Sequence, residues 1–390
     1  MMKKRWMAGL LALWMAAAAP LGVWAEEDTA SQEQEETLSI EAKAAVLADL
    51  DSGQVLWAMN ENEPLAPASV TKIMTLLLVM EALERGDIRL EDMVVCSAQA
   101  AAMGGSQIWL EEGEEMTVDD LLKAVAVYSA NDAAVALAQL VAGSEEAFVA
   151  KMNEKAVSLG MEGTTFRNCT GLDEEGHLTT AADIATMSAA LMEHSPIIAY
   201  TTIWMDTLRD GETQLVNTNE LIHSYEGATG LKTGTTPAAG NCLAATASRD
   251  GLNLVAVVLG SETSQDRFGG AEALLDYGFS HFCRVEPGEL PQPLGPVPVT
   301  RGAARQVEVT CTLPETVLIE EDQRELVTLE ATLDEQAEAP VEEGQRLGTV
   351  TVLVDGQPHG EYPVTAAEAV PQMTLPRAFR VFWEAAVFLG

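Results

Sequence analysis

A serine and a lysine three residues apart, Ser69 and Lys72, begin the stretch of the chain that most clearly indicates chemistry. The residues that follow are apolar at helical spacing as far as Leu83, and Gly86 is typical of a helix end. Because side chains three positions apart share one face of a helix, we expect the Lys72 amine to reach the Ser69 hydroxyl. A buried lysine with a lowered pKa can take the proton of a serine and make it nucleophilic. A helix cap followed by a surface lysine fits the same four residues.

Two further motifs offer partners for this pair. Ser129 and Asn131 interrupt a predicted helix pair, where they fit either a helix cap or a break with a function. The Lys-Thr-Gly segment at 232–234 precedes two β-rich runs, and on a strand it would present an ammonium group, a hydroxyl and a position that a ligand backbone can approach. Taken alone, this tripeptide fits a loop better. The three motifs occur in order, with 60 residues between the starts of the first two and 103 between the starts of the last two, and this combination is far more specific than its parts.

Composition and charge limit the classes of function. The chain has 390 residues, 47% of them hydrophobic, which is enough for two folded domains. Its formal net charge of −38 disfavours nucleic acid and bare anionic lipid as partners of the body of the protein, and a substrate with a carboxylate needs a local cationic pocket. The five cysteines are far apart and the five histidines are scattered, so we expect no disulfide framework, no catalytic metal and no cofactor.

The N-terminal 25 residues indicate export. Three basic residues at positions 3–5 precede the apolar run 7–19, and small residues stand at the two positions that a signal peptidase reads. We predict a cleaved signal peptide at 1–25, because the apolar run is short of the about 20 residues that span a bilayer; a transmembrane anchor is the alternative. Residues 26–38 are acidic and nearly without apolar side chains, which predicts a flexible leader.

Periodicity and turn signals predict a first domain over 39–285. The runs 44–50 and 55–59 flank an Asp-Ser-Gly turn and predict a hairpin, and Thr117 predicts a capped helix start. The other predicted elements are helices at 133–141, 184–192 and 271–279, and strands at 242–247 and 254–259 of one antiparallel sheet.

The composition changes at residue 286. Five prolines between 287 and 298 mark a linker, and short alternating segments predict a small all-β domain over 286–370 without a recognisable site, which favours a spacer or interaction module. Residues 371–390 predict an amphipathic helix with Arg377, Arg380 and Glu384 on one face, too short at about 1.5 Å per residue to span a bilayer. The helix fits the membrane interface, which would make the protein peripheral on the outer face of the cytoplasmic membrane. Docking of the helix on the body of the protein is the alternative.

The motifs and their surroundings resemble the low-molecular-mass penicillin-binding proteins that are serine-type D-alanyl-D-alanine carboxypeptidases. The resemblance covers about residues 40–370 and includes the tail. It implies an α+β fold, with a β-lactamase/transpeptidase-like domain in which an antiparallel sheet is packed with helices, followed by a small all-β domain. The segments that carry it are Pro67–Thr75, Thr117–Leu122, Ser129–Ala133, Gly171-Leu172, Gly230–Gly234 and Arg267.

The resemblance also implies an activity, the removal of the terminal D-alanine from peptidoglycan stem pentapeptides, and acylation by β-lactam antibiotics. Ser69 would attack the carbonyl between two D-alanines, Lys72 would accept its proton, and Ser129 would relay a proton to the leaving amine. The terminal carboxylate would be bound by Lys232, Thr233 and Arg267. Asn131 would hydrogen-bond the peptide backbone of the substrate and also hold Lys72. Gly234 would let the ligand backbone approach. The N–H groups of Ser69 and Thr235 would form the oxyanion hole. Thr235 stands where some members carry histidine.

A serine β-lactamase and a non-catalytic module that binds wall peptides or penicillin are the alternatives. A β-lactamase of this superfamily uses an added glutamate to activate the deacylating water, and no Glu-x-x-x-Asn loop follows Asn131 at a suitable distance. The C-terminal β domain and the tail favour a membrane-held cell-wall enzyme. The presence of all the proposed catalytic side chains disfavours a module that only binds, although a distorted cleft would leave binding alone.

Overall fold

The computed structural model describes residues 38–290 and 292–388. The predicted signal peptide and all but the last residue of the predicted acidic leader lie outside these residues. The strands are β1 Ala44–Asp49, β2 Val55–Met59, β3 Met93–Val95, β4 Glu115–Thr117, β5 Met205–Leu208, β6 Thr213–Val216, β7 Ala228–Thr236, β8 Gly240–Arg249, β9 Leu252–Ser261, β10 Phe282–Val285, β11 Val297–Thr300, β12 Gln306–Val307, β13 Val309–Cys311, β14 Val317–Glu320, β15 Val327–Leu333, β16 Ala337–Glu338, β17 Arg346–Val354 and β18 Gln357–Ala366. The helices are α1 Lys72–Glu84, α2 Ala98–Ala101, α3 Val118–Tyr128, α4 Asn131–Ala142, α5 Glu145–Ser158, α6 Ala181–Met192, α7 Ile198–Thr201, α8 Leu221–Ser224, α9 Ser264–His281 and α10 Leu375–Phe388.

A five-stranded antiparallel sheet in the order β2-β1-β9-β8-β7 is the centre of the α+β domain, which comprises β1–β9 and α1–α9. Strand β1 is buried on both faces: Val46 packs into one apolar cluster, and Leu47 packs into the other. Helices α1 and α6 pack on the first face, and α9 covers the second. The predicted hairpin and the single antiparallel sheet are confirmed.

Helix α1 lies in the middle of the domain. It is buried from Lys72 to Met80 because α3, α4, α5 and α6 pack around it, which accounts for a sequence that is apolar on every side. The predicted helix start was too early: Ser69 lies in a 3-10 turn, Ala68–Thr71, and the α-helix begins at Lys72. This 3-10 turn is called the nucleophile turn below.

Helix α9 is longer than the helix predicted at 271–279. The Asp266 N–H donates to Thr263 Oγ1 at 3.1 Å, and the Thr263 N–H donates to Asp266 Oδ2 at 3.1 Å, which forms a capping box at the start of the helix. The longer helix places Arg267 in its first turn, with its side chain buried.

Strands β11–β18 form the C-terminal β domain. It has a four-stranded antiparallel sheet, β13-β18-β17-β15, and a three-stranded sheet, β12-β11-β16. Strand β10 follows α9 directly and pairs with β14, and Arg284 on β10 forms ion pairs with Asp49 at 2.5 Å and Asp51 at 3.1 Å. These features confirm an α+β domain followed by a small all-β domain.

The predicted C-terminal helix is present as α10, and residues 389–390 lie outside the described part of the chain. Within the described ranges, no single helix has the length and apolar composition needed to cross a membrane; α4 and α5 reach them only when taken together across an 81° bend.

Candidate active site

Two glycines bring other segments against the nucleophile turn. A Cβ atom at Gly171, where φ is +85°, would lie 1.8 Å from the Ala68 carbonyl oxygen. A Cβ atom at Gly234 on β7 would lie 2.8 Å from the Ser69 backbone nitrogen. Only glycine permits both approaches, so the serine is enclosed by the loop around residue 171 and by the Lys-Thr-Gly strand.

Lys72 is fully buried, and its amine has three neighbours. Nζ lies 3.0 Å from Ser69 Oγ, 2.6 Å from Asn131 Oδ1 and 2.8 Å from the Thr170 carbonyl oxygen. Burial lowers the pKa of Lys72 to about 7, and the negative charge of buried Asp132 opposes this shift. A large part of the Lys72 population is therefore neutral near pH 7.

The arrangement around the amine fits a general base. A neutral amine has two hydrogens and one lone pair, and the two oxygens of Asn131 and Thr170 can only accept hydrogen bonds. When they take the two N–H groups, the lone pair faces the Ser69 hydroxyl, which can donate its proton. The orientation of the Asn131 amide is fixed because its Nδ2 donates to the Gly104 carbonyl at 2.6 Å.

Ser129 ends α3 two residues before Asn131 opens α4. Its backbone is in the left-handed region, with φ 65° and ψ 28°, which is uncommon for serine. The side chain is 4% exposed, and its hydroxyl makes no hydrogen bond to any residue that the structure describes. The predicted break between two helices is confirmed, and it leaves a buried hydroxyl available for a ligand.

Strand β7 carries the predicted Lys-Thr-Gly motif. Lys232 is 1% exposed, and its Nζ donates to the Thr233 carbonyl at 3.0 Å. Burial, together with the charges of Lys72 and Arg267, holds the pKa of Lys232 well below its usual value. The Thr233 hydroxyl donates to Thr218 Oγ1 at 2.7 Å.

Arg267 adds a third basic group next to this strand. Its Nη1 donates to the Gly234 carbonyl at 3.2 Å and to Thr235 Oγ1 at 2.9 Å, while its buried Nε has no hydrogen-bond partner. Across the described ranges, no carboxylate forms an ion pair with Lys232 or Arg267. Burial lowers the pKa of both groups, and a bound anion would favour their charged forms, so the pair fits a site for an anionic ligand.

The nine predicted site residues lie in the nucleophile turn, the start of α1, the break between α3 and α4, strand β7 and the first turn of α9. The structure records no direct hydrogen bond from Ser129 to Ser69 or Lys72 within the described part of the chain. The nine are Ser69, Lys72, Ser129, Asn131, Lys232, Thr233, Gly234, Thr235 and Arg267.

Sequence reasoning missed two contributors. None of the predicted site residues lies in the loop at 166–172, yet the Thr170 carbonyl is one of the acceptors of Lys72. Asn168 Oδ1 holds this loop by accepting from the Gly171 N–H at 2.7 Å, a turn that its Asn and Gly residues could have indicated. Asp132, next to Asn131, accepts from the N–H groups of the 108–110 segment at 3.0–3.2 Å and so fixes the loop that Asn131 also contacts.

In the ranges that the structure describes, no three His, Cys, Asp or Glu side chains lie together as a candidate metal site. The five cysteines are unpaired, and four of them are buried.

Comparison with known proteins identifies the family. Residues 28–263 match the family described as D-alanyl-D-alanine carboxypeptidase, and residues 288–372 match the family described as the C-terminal domain of penicillin-binding protein 5. The chain is 44% identical over 336 residues to the D-alanyl-D-alanine carboxypeptidase DacF of Bacillus subtilis, a match that covers 85% of this chain and 86% of the relative.

Solved structures give the same result. Penicillin binding protein 5 from Haemophilus influenzae superposes with a TM-score of 0.77 at 29% identity, over 86% of this chain and 98% of that one. A penicillin-binding protein from Listeria monocytogenes, in its ampicillin-bound form, superposes with a TM-score of 0.57 at 32% identity, over 62% of this chain and 99% of that one. These likenesses confirm the predicted penicillin-binding protein fold. The chain therefore belongs to the D-alanyl-D-alanine carboxypeptidase family.

Proposed function

We propose that this protein is a serine-type D-alanyl-D-alanine carboxypeptidase that removes the terminal D-alanine from peptidoglycan stem pentapeptides through an acyl-enzyme on Ser69. The observation that carries the proposal is the distance of 3.0 Å between Ser69 Oγ and the buried Lys72 amine. The relative from Bacillus subtilis, which has this activity in its name, supports the choice of substrate.

Acylation begins with proton transfer from Ser69 to Lys72. The pKa of about 7 makes the amine a base matched to neutral pH, where general bases are most effective. Asn131 and Thr170 hold the two N–H groups, so the lone pair is directed at the hydroxyl. Ser69 Oγ then forms a bond to the carbonyl carbon between the two D-alanines.

Breakdown of this adduct breaks the peptide C–N bond and needs a proton on the leaving amine. We assign that step to the Ser129 hydroxyl, which passes on the proton held by Lys72 and restores the neutral amine. Its burial and its freedom from other hydrogen bonds in the described structure support the assignment. A left-handed serine at a helix break is the kind of strained position that often accompanies function.

Two buried basic groups that form no ion pair with a carboxylate in the described part of the chain, Lys232 and Arg267, support a substrate that ends in a carboxylate. Arg267, Lys232 and the Thr233 hydroxyl, once its proton turns from Thr218 to the ligand, would bind the free carboxylate of the terminal D-alanine, which limits the reaction to the chain end. In a protein with a net charge of −38, such a local positive site is needed to hold an anion. Charge-assisted hydrogen bonds of this kind are shorter and stronger than neutral ones.

The developing oxyanion would be held by the N–H groups of Ser69 and Thr235. The close approach of Gly234 to the Ser69 nitrogen brings strand β7 beside that N–H group. In a well-studied protease, removing one such donor costs about 2.7–4 kcal/mol of transition-state stabilisation.

Water then hydrolyses the ester, releases the shortened peptide and restores Ser69. A β-lactam would acylate the same serine by ring opening, which keeps the leaving amine attached to the acyl group and so retains the adduct. The likeness to a Listeria monocytogenes protein in an ampicillin-bound form supports this second reaction.

We further propose export through the predicted signal peptide and attachment of α10 to the outer face of the cytoplasmic membrane. Leu375, Phe379 and Trp383 stand four positions apart on α10 and are 88%, 68% and 62% exposed. Exposed apolar side chains on one face of a short helix suit the membrane interface. Full-length protein should therefore partition with membranes and a variant that ends at Leu375 should not; equal partition of the two would contradict the attachment.

One experiment separates the proposed function from its alternatives. The protein is incubated with a fluorescent penicillin and, in parallel, with a diacyl-Lys-D-Ala-D-Ala peptide. We expect a long-lived adduct on Ser69 and release of D-alanine. Rapid turnover of the penicillin would favour a β-lactamase, and the absence of both adduct and release would leave only a binding module.

A further inference from the structure

A buried histidine that the proposed mechanism does not use contacts the nucleophile turn. His177 is 3% exposed, and its Nε2 lies 2.9 Å from Oγ1 of the fully buried Thr71. The other ring nitrogen, Nδ1, accepts a hydrogen bond from the Arg167 N–H at 3.2 Å. Because a neutral imidazole that accepts through Nδ1 carries its proton on Nε2, His177 donates to Thr71.

Thr71 is the last residue of the nucleophile turn and leads directly into α1. Its backbone angles, φ −44° and ψ −36°, are helical, and its side chain caps no N–H group of the helix. The hydroxyl accepts from His177, 106 positions further along the chain. The nucleophile turn is thus held by a residue from outside the helix that it opens.

The loop at 165–179, which contains His177, contacts the same helix at two other points. The Thr170 carbonyl accepts from Lys72 at 2.8 Å, and Thr75 Oγ1 donates to the Cys169 carbonyl at 2.7 Å. A movement of His177 relative to Thr71 would therefore also move an acceptor of the catalytic amine.

The imidazole acts as a fixed donor and not as a carrier of protons. Burial lowers the pKa of His177 to about 4; the carboxylates of Glu174 and Asp173 oppose the shift, and the Arg167 charge adds to it. His177 is therefore neutral near pH 7, and its single N–H group points at Thr71 throughout the neutral range.

We propose that His177 is a positioning residue for acylation. Through its hydrogen bond to Thr71 it fixes the position of the nucleophile turn relative to the loop at 165–179. Ser69 Oγ and the Thr170 carbonyl then stay within hydrogen-bond distance of the same Lys72 amine. The inference rests on the proposed function, and it places the effect on the rate of acyl-enzyme formation and not on substrate binding.

Two variants remove the bond from opposite sides. His177→Phe removes the donor, and Thr71→Val removes the acceptor at nearly constant volume. Each should slow acylation by the fluorescent penicillin about tenfold, the rate equivalent of one hydrogen bond, and should lower kcat/KM for the peptide by a similar factor. The double variant should be no slower than the singles, because the bond is lost only once. His177→Gln, whose amide can donate to Thr71, should recover part of the rate.

Ser188→Ala is the matched control, because it removes a buried hydrogen bond of 2.7 Å to the Ile184 carbonyl within α6. Its acylation rate should equal that of the unaltered protein even where its melting temperature falls. Should His177→Phe fail to fold, Thr71→Val carries the test. Acylation rates for Thr71→Val within about twofold of the control would overturn the role of His177. An unaltered protein that forms no adduct and releases no D-alanine would instead overturn the proposed function.

Discussion

The α+β domain and the C-terminal β domain differ in what they bury. In the described parts of the chain, every buried polar or charged side chain lies between Asp49 and Arg267, and the interior of the C-terminal β domain is apolar, with Val299, Leu347 and Val352 at its centre. Both domains fill an apolar core, but only the first also encloses Lys72 and Lys232. Burial of such groups lowers the free energy of unfolding. Their concentration in the α+β domain therefore indicates that this domain holds the functional site.

The sharpest test of this difference is the removal of the buried amine. Lys72→Ala should lower the acylation rate by roughly 10²- to 10⁴-fold, because Ser69 loses the base that accepts its proton. The measurement is the rate of adduct formation with a fluorescent penicillin.

Val352→Ala in the C-terminal β domain is the matched control, since Val352 is fully buried in that domain. It should cost about 2 kcal/mol of stability in chemical denaturation and leave acylation unchanged. Equal acylation rates in Lys72→Ala and Val352→Ala would remove the distinction between the two interiors.

A smaller effect is expected at the cationic end of the site. Arg267→Gln should raise KM for diacyl-Lys-D-Ala-D-Ala by about tenfold to a hundredfold, because a hydrogen bond to a charged group contributes about 1.5–3 kcal/mol. Steady-state release of D-alanine measures this change. The same peptide with an amidated C-terminus should show no difference between variant and unaltered protein, and an equal loss on both peptides would argue against a carboxylate site.

The smallest effect is expected at the control member of a pair of glycines with similar backbone angles. Gly171 has φ +85° and meets the Ala68 carbonyl, whereas Gly344, in the C-terminal β domain, has φ +80° and open space around its Cβ position. Gly344→Ala should cost about 1–2 kcal/mol through backbone strain alone. Gly171→Ala should cost more in the same denaturation assay and should also slow acylation. Equal costs without a change in acylation would show that the close approach at residue 171 has no role.

Local signals made much of the fold predictable. The Asp-Ser-Gly turn and the Ser-Ala-Asn break are set by residues within a few positions, and both were found. The start of α9 was missed because Gly269 and Gly270 disfavour a helix. Tertiary packing overrides that preference, since a Cβ atom at Gly270 would lie 3.0 Å from the Ile40 side chain. The placement of Arg267 in the first turn of α9 has a local signal as well, the capping box of Thr263 and Asp266, which the sequence prediction did not use.

The candidate site divides in the same way. Residues that act through a distinctive side chain, such as Lys72 and Lys232, could be identified by type and spacing. The Thr170 contribution is a backbone carbonyl, which any residue provides, so its sequence carries no signal. His177 was one of five scattered histidines, and its partner is 106 positions away. Such contacts depend on how loops pack against the nucleophile turn. Residue types and spacing in one sequence do not predict this packing.

The central claim is that buried Lys72, in its neutral form, takes the proton of Ser69. Its most direct test is the rate of acylation by a penicillin as a function of pH, measured by stopped flow from about pH 5 to pH 9. Because burial lowers the pKa of Lys72 to about 7, the rate should rise with pH and reach half its maximum near pH 7. A rate that does not change over this range, or one that is still rising towards the ordinary lysine pKa of about 10.4, would contradict the account.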